Sequence, residues 1–363
     1  MTDQNFKEIV QKLKPIELAP LPACPLVSVL MANYNYGRYI GEAIESVLAQ
    51  TYQHFELIVC DDGSTDNSRE VIEPFVSRDS RVRLVSKENG GVASALNAAY
   101  AASTGEIICL LDSDDLFLPE KLEKVVEACR ESTQSGVCLN RIIKIDKEGR
   151  RFGYPGPVVF PEGWVAAEAL GSGGRVRTMP PASAISFKRP VTDLLLPVPS
   201  QLRRVVDGYL AYTAQFFTEL CAVRCTVTKF RCHGGSLSGT GEFTPRSVSR
   251  YVEDLNFLTA LMREFLATHY GPRVAEELRL EDNSQYWNFL LALHVLTGDG
   301  SKEVGGEPIE KVVELIRPYR QRLLARMLLT LPPRLSQRAL QSWTGQSAST
   351  GMIVWSLRSF LRI

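Results

Sequence analysis

The sequence predicts an α/β protein, with a mostly parallel sheet and flanking helices, followed by an all-helical C-terminal region. Three observations predict it. From Leu26 to about Arg130, short apolar runs alternate with helical stripes, the rhythm of parallel strands joined by right-handed crossovers. Four of these runs are each followed by a cluster rich in Asp, Asn or Gly. From about Ser247 onward, apolar residues recur at helical spacing.

Taken in order, residues 1–25 form a lead-in, a polar helix followed by a stretch broken at Pro20, Pro22 and Pro25. Leu26 to Met31 has the length and composition of a buried strand. Ile40, Ala43, Ile44, Val47 and Leu48 make one helical face, because they fall at i, i+3, i+4, i+7 and i+8. Phe55 to Cys60 is a second strand. Thr65 or Asp66 caps the next helix, through Val71, Ile72 and Phe75. Val82 to Val85 is a third strand, and Asn89-Gly90-Gly91 opens an Ala-rich helix ending near Gly105. Ile107 to Leu111 is a fourth strand. Pro119 opens a helix with Leu122, Val125, Val126 and Cys129 on its apolar face, Pro being favoured in a first turn. Residues 149–174 read as loop. Ala182 to Phe187 reads as a strand, Val205 to Phe217 as a helix and Val223 to Phe230 as a strand. The expected domains are 26–242, with halves 26–130 and 131–242, and a helical region 243–363. That region has three stripes, on Tyr251, Leu255, Leu258 and Leu261/Met262, then on Leu323 to Leu331, then on Ile353 to Leu361.

The chain has 363 residues, 41 basic and 41 acidic, for a net charge of zero. A nucleic-acid binder is usually basic, so that class loses ground. The balance hides an asymmetry. Residues 317–363 hold eight Arg and no Asp, Glu or Lys, which leaves 33 basic against 41 acidic residues in the remainder. A basic tail on an acidic body predicts peripheral contact with an anionic membrane. Trp355 and Phe360 beside Arg358 and Arg362 suit an interfacial helix. The alternative is that the stripes pack on the catalytic domain or on a second copy in a homo-oligomer. No run of about 18 apolar residues predicts a transmembrane helix, and the N-terminus does not read as a signal peptide. Cys60 and Cys109 read as reduced core residues. The expected location is therefore the cytoplasm, peripherally at the inner membrane face. Cys221, Cys225, Cys232 and His233 lack the paired CxxC spacing of a zinc site.

The most informative cluster is LDSDD. Asp112, Asp114 and Asp115 repel one another unless a cation neutralises them, and hard oxygen ligands suit Mg²⁺ or Mn²⁺. Helix capping would need one carboxylate. In VCDDGSTDNS, Asp62 stands at a strand end before a Gly turn, able to accept hydrogen bonds from a base or ribose. In NGG, with Asn97 one turn on, the glycines let the backbone approach a ligand. Ligands in parallel sheets bind at the carboxyl ends of strands, where all of these clusters lie.

Together, VSVLMANYNYGRYIGEAIESVLAQTY, FELIVCDDGSTDNS, NGGVASALNAA and GEIICLLDSDDLFLP resemble the nucleotide-binding half of the family 2 glycosyltransferases of GT-A, Rossmann-like fold. The resemblance implies an inverting sugar transfer from a nucleotide sugar, UDP-linked in the first instance, to a glycan or lipid-linked acceptor. It implies that Ala32, Asn33 and Tyr34 line the uracil and ribose pocket, with Asp62 accepting from the base. Asn89 and Gly91 would line the diphosphate and sugar side, with Asn97 nearby. Asp112 would face the ribose or sugar and pair with Asp114, which would hold the metal, while Asp115 orders that shell or touches the donor sugar. In RRVVDGYLAYTAQF, Asp207 matches the family's catalytic base, although Val206 replaces the Glu that usually precedes it. KFRCHGGSLSG resembles the YRxHxxSxS element. It implies His233 on the metal or diphosphate, and Arg231, Ser236 and Ser238 on the phosphates. ASAISFKR resembles the strand beneath the acceptor site.

The rivals are a non-catalytic sugar-nucleotide or carbohydrate-binding protein, a nucleotidyltransferase and an NAD-dependent oxidoreductase. The first predicts loss of Asp207 or of the DxD pair, and both stand. The second predicts a Gly-rich loop with a basic residue after the first strand, where this chain has ANYNYGRY. The third predicts GxGxxG there.

Overall fold

A computed structural model describes residues 3–176, 179–233, 244–298, 301–315 and 329. The chain divides into two compact units. The first comprises residues 1–170, 175–232 and 264–277, the second 171–174, 233–263 and 278–363. The sequence placed one boundary near 242. In the structure the chain leaves the first unit after Cys232 and re-enters it from Glu264 to Glu277.

The first unit contains α1 (Asp3–Val10), β1 (Val27–Asn33), α2 (Gly37–Leu48), β2 (Phe55–Asp61), α3 (Ser68–Arg78), β3 (Val82–Ser86), α4 (Val92–Ala101) and β4 (Ile107–Leu110). These are the eight elements up to the fourth expected strand. β3, β2, β1 and β4 lie side by side and all parallel. Val27, Val29 and Met31 of β1 join Ile40, Ile44 and Val47 of α2, Ile72 of α3 and Leu57 and Val59 of β2 in one buried cluster. Each such side chain contributes about 1.5–3 kcal/mol on burial. On β1 the intervening Leu30 is equally buried, as period-two alternation requires of a strand covered on both faces. α3 starts at Ser68, after both residues expected to cap it. Asp66 nevertheless takes the Ser68 N–H, at 3.0 Å. α4 stops at Ala101, short of Gly105, whose N–H turns in to the Ser28 hydroxyl at 2.8 Å.

The second half of the sheet was only partly legible. It contains β5 (Leu116–Phe117), α5 (Lys121–Glu131), β6 (Ser135–Ile145), β7 (Arg151–Gly156), α6 (Ala166–Gly171), β8 (Ile185–Lys188), α7 (Arg189–Leu195), α8 (Val206–Ala214) and β9 (Glu219–Arg231). β8 runs antiparallel to both β4 and β6, β9 runs parallel to β6, and β5 runs antiparallel to β9. The strand order is β3-β2-β1-β4-β8-β6-β9-β5, with β7 on β6. β5, β6, β7, α6 and α7 had no place in the sequence reading, and the stretch read as loop, 149–174, holds both β7 and α6.

α9 (Pro245–Tyr270) and α10 (Pro272–Glu277) follow. The last turns of α9 pack within the first unit. Phe265 stacks on Phe217 at 5.0 Å, and the Tyr270 hydroxyl donates to Phe216 O at 3.2 Å. That packing ties the end of α9 to the first unit. Within the second unit, Leu255, Leu258 and Met262 of the first expected stripe are buried. The region is not wholly helical. Between α11 (Ser284–Thr297) and α12 (Ile309–Leu315), β10 (Glu303–Val304) and β11 (Glu307–Pro308) form a hairpin. Its turn is Gly305-Gly306, with φ of 59° and 79°, the positive values a two-residue turn demands. The stripes on Leu323 and Ile353 and the tail's Arg residues lie outside the described residues. Among the described residues, no helix is long and apolar enough to cross a membrane.

Candidate active site

The first-unit side chains singled out from the sequence lie at or near the carboxyl ends of β1, β2 and β4, at the start of α8 and at the end of β9. Register aligns the strand ends, Asn33 beside Asp61 and Asp61 beside Ser86. After β1 the chain turns through Asn35 at φ 60°, a left-handed conformation that Asn tolerates. Asn35 Oδ1 accepts from the N–H groups of Thr65 and Asp66, at 2.7 and 3.2 Å. Sequence reading missed this brace. Tyr34 is exposed beside it. Asn33, expected in the pocket wall, instead turns inward. It is 1% exposed and its amide donates to Asp61 Oδ1 at 2.9 Å and Ser64 Oγ at 3.1 Å.

Asp62 is buried, and its carboxylate accepts from Gly90 N at 3.0 Å, Gly91 N at 2.7 Å and Lys87 Nζ at 2.7 Å. It therefore shapes the Asn89-Gly90-Gly91 turn. Asn89 is left exposed. Gly91 has φ 87°, and a Cβ there would meet nothing within 4 Å. Asn97 departs from expectation. Its Nδ2 donates to Val198 O and its Oδ1 accepts from Val198 N, both at 2.8 Å. Both ends of its amide tether the segment after α7.

After β4 the chain places Asp112, Asp114 and Asp115 with a carboxylate oxygen of each within 4.8 Å of the others. Ser183, in the turn before β8, holds the loop by accepting the Asp112 N–H at 3.0 Å, and the Ser113 hydroxyl donates to Ala32 O at 2.9 Å. Burial, then the charges of Asp114 and Asp207, push the Asp112 carboxyl up to about 8. Burial and the two neighbouring carboxylates hold Asp115 well above the ordinary range. Its Oδ2 is buried with no hydrogen-bond partner. Crowded carboxylates and an orphaned acceptor fit a hard divalent cation, whose charge removes the repulsion that otherwise retains protons. Among the described residues this is the group placed to hold a metal. It is made by the first unit alone, whereas His233 belongs to the second, and Ser236 and Ser238 lie outside the described residues.

Asp207 occupies the first turn of α8. Burial raises its carboxyl, against the N–H groups of Gly208, Asp207 and Ala182 and the charge of Arg175. The residue before α8, Val205, has φ 51° and ψ 32°, a strained conformation for a β-branched side chain. Tyr36, at the start of α2, was missed. Burial and then the charges of Asp114, Asp112 and Asp115 hold its hydroxyl protonated above the ordinary range. Only its place two residues after Tyr34 could have flagged it.

Arg231 is 1% exposed, and the structure corrects the role expected of it. Its Nε donates to Asp114 O at 2.8 Å and its NH2 to Glu42 Oε2 at 2.8 Å. Those atoms are engaged within the protein.

The family model described as "Glycosyl transferase family 2" matches residues 28–180. An uncharacterized glycosyltransferase from Nostoc sp. is 34% identical over 270 residues, 72% of this chain and 80% of that protein. Among solved structures, S. aureus TarS in complex with UDP-GlcNAc superposes with a TM-score of 0.52 at 18% identity, covering 87% of this chain and 89% of that one. The mannosyltransferase PcManGT from Pyrobaculum calidifontis, in complex with GDP-Man and Mn²⁺, gives 0.50 at 17% identity, covering 96% and 94%. The curled mixed sheet with flanking helices is the GT-A architecture that the motifs implied. With a family model on the strands that carry the acidic trio and a relative matched over four fifths of its length, the chain belongs to glycosyl transferase family 2 and is a glycosyltransferase.

Proposed function

We propose that the protein transfers a sugar from a nucleoside diphosphate sugar, UDP-linked in the first instance, to a hydroxyl of a glycan or lipid-linked acceptor, with inversion. One observation carries the reading: the Ala182–Ala184 turn serves both groups, its Ala182 N–H facing the Asp207 carboxylate and its Ser183 hydroxyl accepting the Asp112 N–H at 3.0 Å. A carboxylate that can accept a proton thus lies beside the carboxylates that can hold a cation.

The donor would lie along the strand ends. Exposed Tyr34 would stack on the base, and the Ala32 backbone, fixed by Ser113, would line the ribose side. The turn that Asp62 holds open would leave Gly91 free for close backbone approach to the diphosphate or sugar. Asp112 and Asp114, with Asp115 behind them, would hold Mn²⁺ or Mg²⁺, which when bound supplies Lewis-acid neutralisation of the departing diphosphate. The rest is the chain's own chemistry. Asp207 takes the proton of the acceptor hydroxyl as its oxygen attacks the anomeric carbon. The bond to the β-phosphate oxygen breaks with its electron pair leaving on the nucleoside diphosphate. One displacement inverts the centre, so an α-linked donor gives a β-linked product. Burial makes Asp207 a better proton acceptor than a solvated carboxylate. Neighbours of the same fold bind UDP-GlcNAc in one case, GDP-Man with Mn²⁺ in the other, which supports a nucleotide-sugar donor and a metal.

The test is turnover of UDP-, GDP- and dTDP-sugars with Mn²⁺, Mg²⁺ or chelator, and NMR of the product anomer. Metal-dependent release of one nucleoside diphosphate and a β-linked product are expected. Turnover unchanged in chelator, or retention at the anomeric carbon, would overturn the mechanism.

A further inference from the structure

We infer that Arg231 is a positioning residue for the acidic trio, setting its affinity for a divalent cation from behind the loop. The inference rests on the proposed metal role of the trio and deepens it.

The arginine is buried and spent inside the protein. Its main-chain N–H donates to Asp115 Oδ1 at 2.7 Å and its Nε to Asp114 O at 2.8 Å. Its NH1 donates to Lys147 O, in the β6–β7 turn, at 3.3 Å, and its NH2 to Glu42 Oε2, on α2, at 2.8 Å. The guanidinium carbon sits 4.7 Å from the centroid of the Tyr39 ring. One side chain at the end of β9 thus joins the acidic loop, α2 and the β6–β7 turn.

Two of these contacts reach the trio, and substitution at 231 removes only the side-chain one, to Asp114 O. Fixing Asp115 Oδ1 through the backbone leaves Oδ2, the buried oxygen without a partner, as that carboxylate's open ligand atom. Fixing the Asp114 carbonyl sets the backbone from which its side chain projects. The guanidinium does this without occupying a carboxylate oxygen of the trio, since its own ion pair is with Glu42. Partners that orient metal ligands in this way typically change affinity about 10- to 100-fold when removed. Arg suits the task because its rigid fork serves several acceptors at once, which an ammonium cannot.

The experiment is calorimetric titration of the full chain with MnCl₂, no nucleotide present, for wild type, Arg231→Lys, Arg231→Ala and Glu42→Gln, each with its thermal melt. Expected are Mn²⁺ affinities weakened about 10-fold or more in Arg231→Ala and partly restored in Arg231→Lys. Glu42 is 59% exposed on its side chain, so Glu42→Gln keeps the core intact while loosening the guanidinium, and it should weaken Mn²⁺ binding about 2-fold or more. Should Arg231→Ala fail to fold, the Lys and Gln variants carry the test. Wild-type affinity in those variants overturns the inference and leaves the metal reading standing. No Mn²⁺ binding by the wild type overturns the metal reading and this inference with it.

Discussion

Asp62 accepts the Gly91 main-chain N–H at 2.7 Å, so a strand-end carboxylate fixes the turn that opens α4. Asp62→Asn puts an amide NH₂ against one of the N–H donors it now satisfies. The variant should lose about 1–3 kcal/mol of stability, and its donor KM should rise more than its kcat falls. Thermal melts and steady-state kinetics check both. An unchanged donor KM would show that the turn does not meet the donor.

Asp207→Asn retains shape and removes the proton acceptor. Its kcat should fall about 10²- to 10⁴-fold, with donor affinity unchanged. Nucleotide titration beside a transfer assay separates the two effects, and an active variant would remove Asp207 from the mechanism.

Asp112→Asn trades activity for stability. In chelator, the variant should melt higher than wild type, by on the order of 1 kcal/mol, because an amide escapes the penalty that burial and the neighbouring carboxylates place on Asp112. It should also lose the rise in melting temperature that Mn²⁺ gives the wild type. A variant that melts lower in chelator would show that the trio is not under electrostatic load.

Glu56 gives a pH signature remote from the chemistry. Burial alone would raise its carboxyl. The Ser28 hydroxyl at 2.6 Å, the Thr104 N–H at 2.6 Å and the charge of Arg83 outweigh burial and hold it below its ordinary 4.5. A carboxyl lowered by folding contributes stability above its unfolded value, and that stability drains away as pH falls through the folded one. Between about pH 6 and pH 3, wild type should therefore lose more melting temperature than Glu56→Gln. Parallel losses in the two proteins would refute the assignment.

Val205→Gly removes a left-handed β-branched residue. Relief of about 1–2 kcal/mol outweighs a glycine entropy cost of about 0.5–1 kcal/mol, so the variant should be slightly more stable by denaturant titration. Its transfer rate should fall, because Asp207 loses the rigid entry to its helix. A more stable variant with full activity would show that the strain serves no purpose in transfer.

The first half of the sheet was legible because its strands are covered on both faces. Val27 to Met31, Phe55 to Cys60 and Ile107 to Leu110 are almost wholly buried, and continuous apolar runs are what such strands look like. β6 was illegible for the opposite reason. Asn140, Arg141 and Lys144 interrupt its apolar pattern. Asn140 is nonetheless fully buried, because its Oδ1 accepts from the buried Lys121 ammonium and its Nδ2 donates to Thr228 Oγ1 at 3.0 Å. A polar residue satisfied by a partner 19 or 88 positions away carries no local signal. The Gly-Gly turn between β10 and β11 had one, but two-residue strands are too short for periodicity to register.

The same distinction explains the site. Residue type and strand-end position gathered the acidic trio, because three adjacent carboxylates are costly wherever they fall. They could not say which polar side chains face a ligand and which serve the frame. Asn33, Asn97 and Arg231 have the right chemistry for a donor pocket and spend it on Asp61, Val198 and the Asp114 loop. The trio acts on Tyr36, and Arg175 on Asp207, through space; Tyr36 stands unremarked inside the first quoted motif, and Arg175 stands outside all of them.

The return of residues 264–277 to the first unit bears on how the molecule is made. While the ribosome has delivered only the strands, the Tyr270 hydroxyl that caps Phe216 O and Lys14 O is still to come. The unit carrying the acidic loop therefore completes its packing only after part of its neighbour has been synthesised. Gene truncation at residue 242 would yield a first unit lacking Phe265 against Phe217 and Tyr270 against Phe216.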